Sequence, residues 1–203
     1  RIMADEQLRE KPITIAFTHF HWDHIQGFPF FEPAYVAGKK ISLLALGRAR
    51  PIDDLERVFA RPMQHVYFPV QLAQMGAAFE YLLPQDDTHV FPKSVVTARQ
   101  HAHPGGAYTY RVVKGRKSVV FCTDIEHGES IDSGIVALSR GADLLIHDAQ
   151  YTPEELRERR GWGHSSYEQA IECARLAGVK RLVLTHHDTD HDDAFLLEME
   201  RKR

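Results

Sequence analysis

The 203-residue sequence predicts a mixed α/β fold in one domain that spans residues 1–203. Short runs rich in β-branched and aromatic residues recur along the chain and predict strands. Stretches with apolar residues at helical spacing separate several of these runs. Between two of the runs, Lys114-Gly115 has the composition of a hairpin turn. Strands joined partly by helices and partly by tight turns indicate a mixed α/β protein.

In the first 60 residues the sequence predicts two helices, two strands and a long loop. Polar, helix-favouring residues predict the end of a helix over 3–11, and the apolar run 13–17 predicts a buried strand. An aromatic, proline-rich loop follows over 28–40, and a strand is predicted over 41–46. A proline and two aspartates open a predicted helix over 51–59, because both residue types favour a first helical turn.

The remaining strands and helices are predicted from the same two kinds of sequence pattern. Strands are predicted over residues 77–83, 90–99, 108–113, 118–123, 143–146 and 180–185. Helices are predicted over residues 131–140, 153–160, 165–177 and 192–203. For the third of these helices, Ser165 is the predicted N-cap, Glu168 completes a capping-box pattern, and Gly178 is the predicted stop.

Composition limits the classes of function. The formal net charge of −3 argues against a nucleic-acid partner, since nucleic-acid-binding surfaces are usually basic. No apolar run approaches the roughly 20 residues that a membrane span needs, so no membrane association is expected. The two cysteines, Cys122 and Cys173, follow neither a metal-ligand nor a redox spacing. They predict buried thiols in a reducing compartment, and therefore a cytoplasmic protein.

The densest chemical feature is segment 18–27, Thr-His-Phe-His-Trp-Asp-His-Ile-Gln-Gly. Four metal-capable side chains fall within six residues, directly after a predicted strand, where a rigid scaffold can aim ligands. His19 and His21 alternate with aromatic residues, so both imidazoles can point the same way, and Asp23 and His24 follow at the turn. Imidazole and carboxylate without thiolate suit zinc, manganese or iron.

The string His-x-His-x-Asp-His-x-x-Gly resembles the signature of the metallo-β-lactamase superfamily. The resemblance implies an αββα sandwich that holds two divalent metal ions, with zinc as the first expectation and manganese or iron as alternatives. In that superfamily several N-terminal strands precede the motif. Because the sequence lacks such strands before residue 13, we expect a domain that is N-terminally incomplete.

The resemblance implies three further ligands later in the chain. His103 is the first, because a Tyr-Arg pair at the start of a strand follows it by seven residues, as in RNase Z-like members. His101 is the alternative ligand, and Thr109 stands where those members usually have glycine. Asp124, at the end of a predicted strand, would bridge both metals, and His186 would follow the last core strand.

These residues divide into two ligand sets under the resemblance. One metal would take His19, His21 and His103, and the other would take Asp23, His24 and His186.

Segment 161–166, Gly-Trp-Gly-His-Ser-Ser, resembles the His-Ser-Thr segment of RNase Z and related phosphodiesterases. Segment 148–151, Asp-Ala-Gln-Tyr, resembles their Glu-Ala-Thr sequence. In that branch the histidine acts on the phosphate or the leaving group, which makes His164 a candidate catalytic residue. The alternative is a structural histidine in a glycine-rich turn. The sequence shows no basic, Gly/Pro-rich insertion like the tRNA-gripping arm of RNase Z.

The function that this resemblance implies is phosphodiester hydrolysis by a hydroxide that bridges two metals. A small or cyclic nucleotide-like diester is the expected substrate. Asp23 would also accept a proton, and His164 would protonate the leaving group. Two alternatives stay open: a lactone or thioester hydrolase that uses the same site, and a non-catalytic, metal-binding regulatory module. A homodimer is also open.

Overall fold

The structure is a computed structural model that describes residues 10–47 and 54–201. The chain divides into two compact units, residues 1–89 and 90–203. The helix end predicted over 3–11 and the first turn of the helix predicted over 51–59 lie largely outside the described residues.

The first unit contains a three-stranded parallel sheet in the order β1-β2-β3. The strands are β1 (Ile13–Ala16), β2 (Lys40–Leu44) and β3 (Ala78–Leu82). Helix α1 (Trp22–Ile25) follows β1 directly, and helix α2 (Leu55–Ala60) lies between β2 and β3. Residues 28–30, 32–35 and 72–74 form short 3-10 helices. The connections cross over because parallel neighbours cannot be joined by a hairpin.

An aromatic cluster fixes the chain where it leaves β1. The Phe59 ring lies 4.8 Å from the Phe17 ring and 4.7 Å from the Phe28 ring, measured between centroids. All three side chains are buried, and Phe17 and Phe28 flank the histidine-rich segment in sequence. Packing of aromatic rings at this spacing adds to the free energy of area burial, so the segment between them is held at both ends.

From residue 88 onward, and so almost wholly in the second unit, the chain forms a six-stranded sheet in which each strand pairs with its sequence neighbour. Its strands are β4 (Thr88–Phe91), β5 (Ser94–His101), β6 (Ala107–Lys114), β7 (Lys117–Cys122), β8 (Leu144–Asp148) and β9 (Leu182–Thr185). Pairs β5-β6 and β6-β7 are antiparallel, whereas β7-β8 and β8-β9 are parallel. Gly115, with φ +59°, lies in the predicted hairpin turn.

Helices fill the crossovers of the parallel half of this sheet. Helix α3 (Ser133–Ser139) connects β7 to β8, helices α4 (Pro153–Glu158) and α5 (Tyr167–Ala177) connect β8 to β9, and helix α6 (Asp193–Arg201) follows β9. Buried side chains of α3 and α5 join those of β7 and β8 in one core: Val120, Cys122, Ile125, Ile135, Ala142, Leu145, Cys173 and Ala174. The mixed α/β class predicted from the sequence is confirmed.

Two local predictions were wrong. The strand predicted over 90–99 is interrupted by a turn at residues 92–93, so that β4 and β5 are separate strands. Helix α5 is capped by Ser166, not Ser165, with Gln169 closing the capping box. Ser165 is unavailable as a cap because its hydroxyl donates to the Ile125 carbonyl oxygen at 2.5 Å. The predicted stop at Gly178 is confirmed by its left-handed conformation.

Strand direction determines where the candidate residues of this unit lie. Strands β7, β8 and β9 are parallel, and β5 runs in the same direction as β7 because both are antiparallel to β6. The carboxyl ends of these four strands therefore lie at one edge of the sheet, the usual position of functional residues in such sheets. His103, Asp124, Asp148 and His186 end or follow them.

Within residues 10–47 and 54–201, none of the helices has the length and apolar character that crossing a bilayer would require.

Candidate metal centre

In the first unit, four potential ligands lie in the turn after β1. The His19 ring centroid is 4.7 Å from that of His21 and 4.2 Å from that of His24. His21 is the extended N-cap residue of α1, which places Asp23 and His24 on the first helical turn. Asp23 Oδ2 lies 3.0 Å from His24 Nε2. Three imidazoles and a carboxylate are thus gathered within one turn of chain.

In the second unit, Asp124 is the point on which two histidines converge. Its Oδ2 atom is 3.9 Å from His103 Nε2 and 3.5 Å from His186 Nε2. The side chains of His103 and Asp124 are each only 2% exposed. The Thr123 hydroxyl donates to the other carboxylate oxygen, Oδ1. The sheet edge therefore carries a buried carboxylate between two imidazoles.

Backbone strain marks the same two strand ends. Among the described residues other than glycine, Asp124 (φ +54°) and His186 (φ +60°) are the ones with positive φ. This left-handed region is costly for a residue with a Cβ, and it persists where the surrounding structure fixes it, often at functional sites.

Contacts at Nδ1 hold three of the histidine rings that the sequence predicts as ligands. His103 Nδ1 donates to the Gly163 carbonyl oxygen at 2.8 Å, and His186 Nδ1 donates to Gln150 Oε1 at 3.1 Å. His19 Nδ1 lies 3.1 Å from the Thr18 hydroxyl. A proton held on Nδ1 leaves the Nε2 lone pair available, and such partners are typical of metal-binding histidines. The donor atoms in each unit therefore fit a divalent ion that prefers nitrogen and oxygen ligands.

The alternative ligand His101 is committed to another role. Its Nε2 donates to the carbonyl oxygen of Asp124 at 3.1 Å, and its Nδ1 accepts from the Thr109 hydroxyl at 2.9 Å. Burial lowers the pKa of His101 to about 4, so the ring is neutral at pH 7. Both ring nitrogens are occupied, and the histidine supports the strained backbone of Asp124.

His164 is held by a carboxylate that the sequence analysis did not include among the site residues. Its Nδ1 donates to Asp148 Oδ2 at 2.8 Å, and the Asp148 side chain is fully buried. The His164 ring is stacked on that of His186 at 4.9 Å and lies edge-on to that of His103 at 5.4 Å. The ring is thus fixed beside two predicted ligands while its Nδ1 is bound to Asp148.

Comparisons with known proteins identify the family of the chain. The sequence model of the family described as "Beta-lactamase superfamily domain" matches residues 4–187. The chain belongs to this superfamily.

Individual relatives point to one branch of it. Ribonuclease Z of Exiguobacterium sibiricum is 26% identical over 217 residues, which cover 87% of this chain and 71% of that protein. The crystal structure of the short form of human tRNase Z has a TM-score of 0.67 at 22% identity and covers 93% of this chain and 77% of its own. A diphosphatase from the PhnP family has a TM-score of 0.63 at 22% identity, with coverages of 94% and 65%.

Membership of the metallo-β-lactamase superfamily confirms the α/β metallo-β-lactamase fold and the RNase Z-like branch that the motifs predicted. It confirms a metal-dependent hydrolase, and the fold implies divalent metal ions. The expected exclusion of nucleic acid is not supported, because relatives carry the name ribonuclease Z. The net charge of the whole chain does not decide the question, since a local surface can bind a polyanion whatever the sum of charges elsewhere.

The superfamily signature left several supporting residues undetected. Asp148, Gln150 and the Gly163 carbonyl each fix one histidine ring, but they lie 16, 36 and 60 residues from it. The signal that could have found Asp148 is its position at the end of a predicted strand, where the related branch has a glutamate.

A second group of donor atoms in this superfamily member lies deeper in the second unit. His127, His147 and Cys173 are buried, with ligand-type atoms within 4.8 Å of one another. His127 Nδ1 accepts from the Asp132 N–H at 3.2 Å, so the neutral ring carries its proton on Nε2 and donates it to His147 Nε2 at 3.3 Å. His147 Nδ1 donates to the Asp148 carbonyl oxygen at 2.7 Å. Since the two Nε2 atoms share one proton, the arrangement favours a hydrogen-bonded pair over a further metal site.

Proposed function

We propose that this protein hydrolyses phosphodiesters with two divalent metal ions, zinc in the first instance. The proposed ligands are the seven residues predicted from the sequence: His19, His21, Asp23, His24, His103, Asp124 and His186. In support, the donors of each unit are gathered in one place and are oriented through Nδ1. Ribonuclease Z and diphosphatase relatives support phosphorus as the reacting centre.

The observation that carries the proposal is the hydrogen bond between His164 and Asp148 at 2.8 Å. A buried carboxylate fixes the imidazole tautomer and stabilises the imidazolium form, which can donate a proton from Nε2. A leaving alkoxide needs such a proton, whereas a metal ligand would need a lone pair instead. His164 therefore suits a general acid that acts on a phosphodiester leaving group.

The other residues bind, orient or move protons around this step. Bound divalent ions supply Lewis acidity, which lowers the pKa of water toward 7 and offsets charge on phosphoryl oxygens. Asp124, between His103 and His186, has two oxygens and suits a bridging position. Asp23 has a side chain that is 54% exposed, so it can pass a proton to solvent.

The site geometry is compatible with two classes of phosphodiester substrate. A small or cyclic nucleotide-like diester remains the first expectation, and RNA is the second candidate because relatives carry the name ribonuclease Z. Both are phosphodiesters and use the same general acid.

The test compares two diesters with different leaving groups. Purified protein loaded with zinc or manganese is assayed on an alkyl phosphodiester and on a nitrophenyl phosphodiester, before and after His164→Ala. We expect the variant to retain both metals and to lose about 10²–10⁴-fold in turnover of the alkyl ester, the usual worth of a positioned acid. The nitrophenyl ester should lose much less, because nitrophenolate leaves without protonation.

Equal losses on the two esters would remove the acid role, and loss of a metal would mean that His164 is itself a ligand. Parallel assays on a lactone, a thioester and a short RNA decide the substrate class. Turnover of the lactone or thioester without any phosphodiester cleavage would overturn the proposal.

A further inference from the structure

One carboxylate fastens the glycine-rich segment that precedes His164. Glu126 accepts the backbone N–H of Gly161 at 2.8 Å with Oε1 and at 3.0 Å with Oε2. Its Oε2 also accepts the N–H of Gly163 at 2.8 Å. Both oxygens are thus occupied by backbone donors that lie more than 30 residues away in sequence.

The segment 161–163 that Glu126 binds is linked to two candidate functional histidines. The carbonyl oxygen of Gly163 is the acceptor for His103 Nδ1, and His164 is the next residue. The N–H of Glu126 donates to the Ala102 carbonyl oxygen at 3.0 Å, directly before His103. Glu126 therefore joins three chain segments: its own, the one that carries His103 and the one that carries His164.

A close approach explains why the segment contains glycine at this point. Gly163 has φ +91°, and a Cβ built on it would overlap the His103 ring and Pro104. Glycine removes the clash, but it also gives the unfolded segment the largest conformational freedom of any residue. Because Gly161 and Gly163 have no side chains to pack, the position of this segment depends on backbone hydrogen bonds. Bonds to an ionised carboxylate are the strongest of that kind available.

We propose that Glu126 is a positioning residue that couples the metal-binding ring of His103 to the substrate-directed ring of His164. Its part toward His164 rests on the proposed phosphodiester hydrolysis, whereas its part toward His103 rests only on the proposed metal binding. Without the carboxylate, the Gly163 carbonyl loses its fixed place, His103 loses its Nδ1 partner, and His164 moves relative to Asp148.

An amide cannot fully replace the carboxylate at this position. In Glu126→Gln, an oxygen in the place of Oε2 still accepts from Gly163 and Gly161. The new NH₂ group, in the place of Oε1, then faces the N–H of Gly161 at 2.8 Å. These two donors repel each other, while the remaining oxygen still accepts a hydrogen bond. The variant therefore keeps only part of the hydrogen bonding that holds the segment. Glu126→Ala removes the whole anchor. Glu129, an exposed glutamate in the same loop, is the matched control position.

Three measurements on the full chain test the proposal. Zinc affinity is measured by competition with a chelator, amide exchange is measured at Gly161 and Gly163, and turnover is measured on the alkyl and nitrophenyl diesters. For Glu126→Ala we expect zinc binding about 10–100-fold weaker, the usual effect of losing a partner of a metal ligand. The two amides should exchange faster, and the alkyl ester should lose more activity than the nitrophenyl ester. Glu126→Gln should fall between this variant and wild type, and Glu129→Ala should match wild type.

Unchanged amide exchange or unchanged zinc affinity in Glu126→Ala would overturn the proposal. If Glu126→Ala does not fold, Glu126→Gln decides, and wild-type values in all three measurements would overturn it equally. If wild-type protein cleaves no phosphodiester, the proposed function fails while zinc affinity and exchange still decide the role of Glu126.

Discussion

His164 Nδ1 lies 2.8 Å from a fully buried carboxylate oxygen of Asp148, although 16 residues separate the two in sequence. Asp148 Oδ1 accepts in addition from the backbone N–H of Ser165 at 3.1 Å and of Gln150 at 3.0 Å. These bonds fix the carboxylate, which in turn fixes the imidazole. The pair is therefore rigid before any substrate binds, and rigid placement is what a proton donor needs.

The Asp148–His164 pair should act as a unit. Asp148→Asn leaves a side chain of the same shape but removes the charge that stabilises the protonated ring. We expect about 10²–10⁴-fold lower turnover of an alkyl phosphodiester, comparable with His164→Ala. The double variant should lose little more than either single variant, since residues that act together are non-additive. Losses that multiply in the double variant would show that the two residues act independently. Glu172→Gln, on an exposed face, is the control.

Gly163 should be irreplaceable for steric reasons. Gly163→Ala places a methyl group into His103 and Pro104, so we expect zinc binding about 10–100-fold weaker through displacement of a ligand. Gly161→Ala is the matched control, because Gly161 has a similar φ of +86° with open space around its Cβ position. That variant should show only conformational strain of about 1–2 kcal/mol in the free energy of unfolding. Equal zinc affinities of the two variants would contradict this reading.

Substitutions of His101 and His103 should have different effects on the number of zinc ions bound. His103→Phe removes a proposed ligand, and we expect it to lose at least one equivalent of zinc. His101→Phe instead removes the hydrogen bonds that the ring makes with the Asp124 carbonyl and the Thr109 hydroxyl. It should lower the free energy of unfolding by about 1–3 kcal/mol while both metals stay bound at saturating zinc. The opposite pattern, with zinc lost only from the His101 variant, would exchange the two assignments.

Stability should fall in acid because of the buried His127–His147 pair. Burial lowers the pKa of His127 to about 3 and also lowers that of His147. His147 and His101 lower the pKa of His127 further, and Asp132 raises this pKa by less than burial lowers it. The unfolded chain binds protons below a pKa of about 6.5 while the folded rings stay neutral. Protonation of these histidines therefore does not reduce the free energy of unfolding above pH 6.5. Below that pH the free energy of unfolding falls by up to ~1.4 kcal/mol per pH unit for each histidine.

Denaturant unfolding at pH 5 and pH 7 measures this effect. Between pH 7 and pH 5 the free energy of unfolding should fall less in His127→Gln than in wild type. The difference corresponds to one proton fewer taken up on unfolding. Measuring both proteins with and without chelator separates the effect from acid-induced metal release. Identical drops in the two proteins would rule out His127 as a source of the acid sensitivity.

The sequence alone predicted what depends on local pattern. The strand before residue 18, the hairpin at Lys114-Gly115 and the helix stop at Gly178 each follow from residues within a few positions. The grouping of the predicted ligands in residues 19–24 is equally local, because residues at a strand end and in the following helical turn are close together whatever the rest of the chain does. These features led directly to the superfamily.

The tertiary structure decided which distant groups meet. Periodicity does not specify that β8 lies between β7 and β9, and this strand order is what brings Asp148 and His164 to the same edge as Asp124. It also decided that His101 turns to the Asp124 carbonyl and that the Gly163 carbonyl fixes His103. Such contacts close loops of up to 60 residues. Their partners are selected by packing of the whole sheet, for which no short stretch of sequence carries the information.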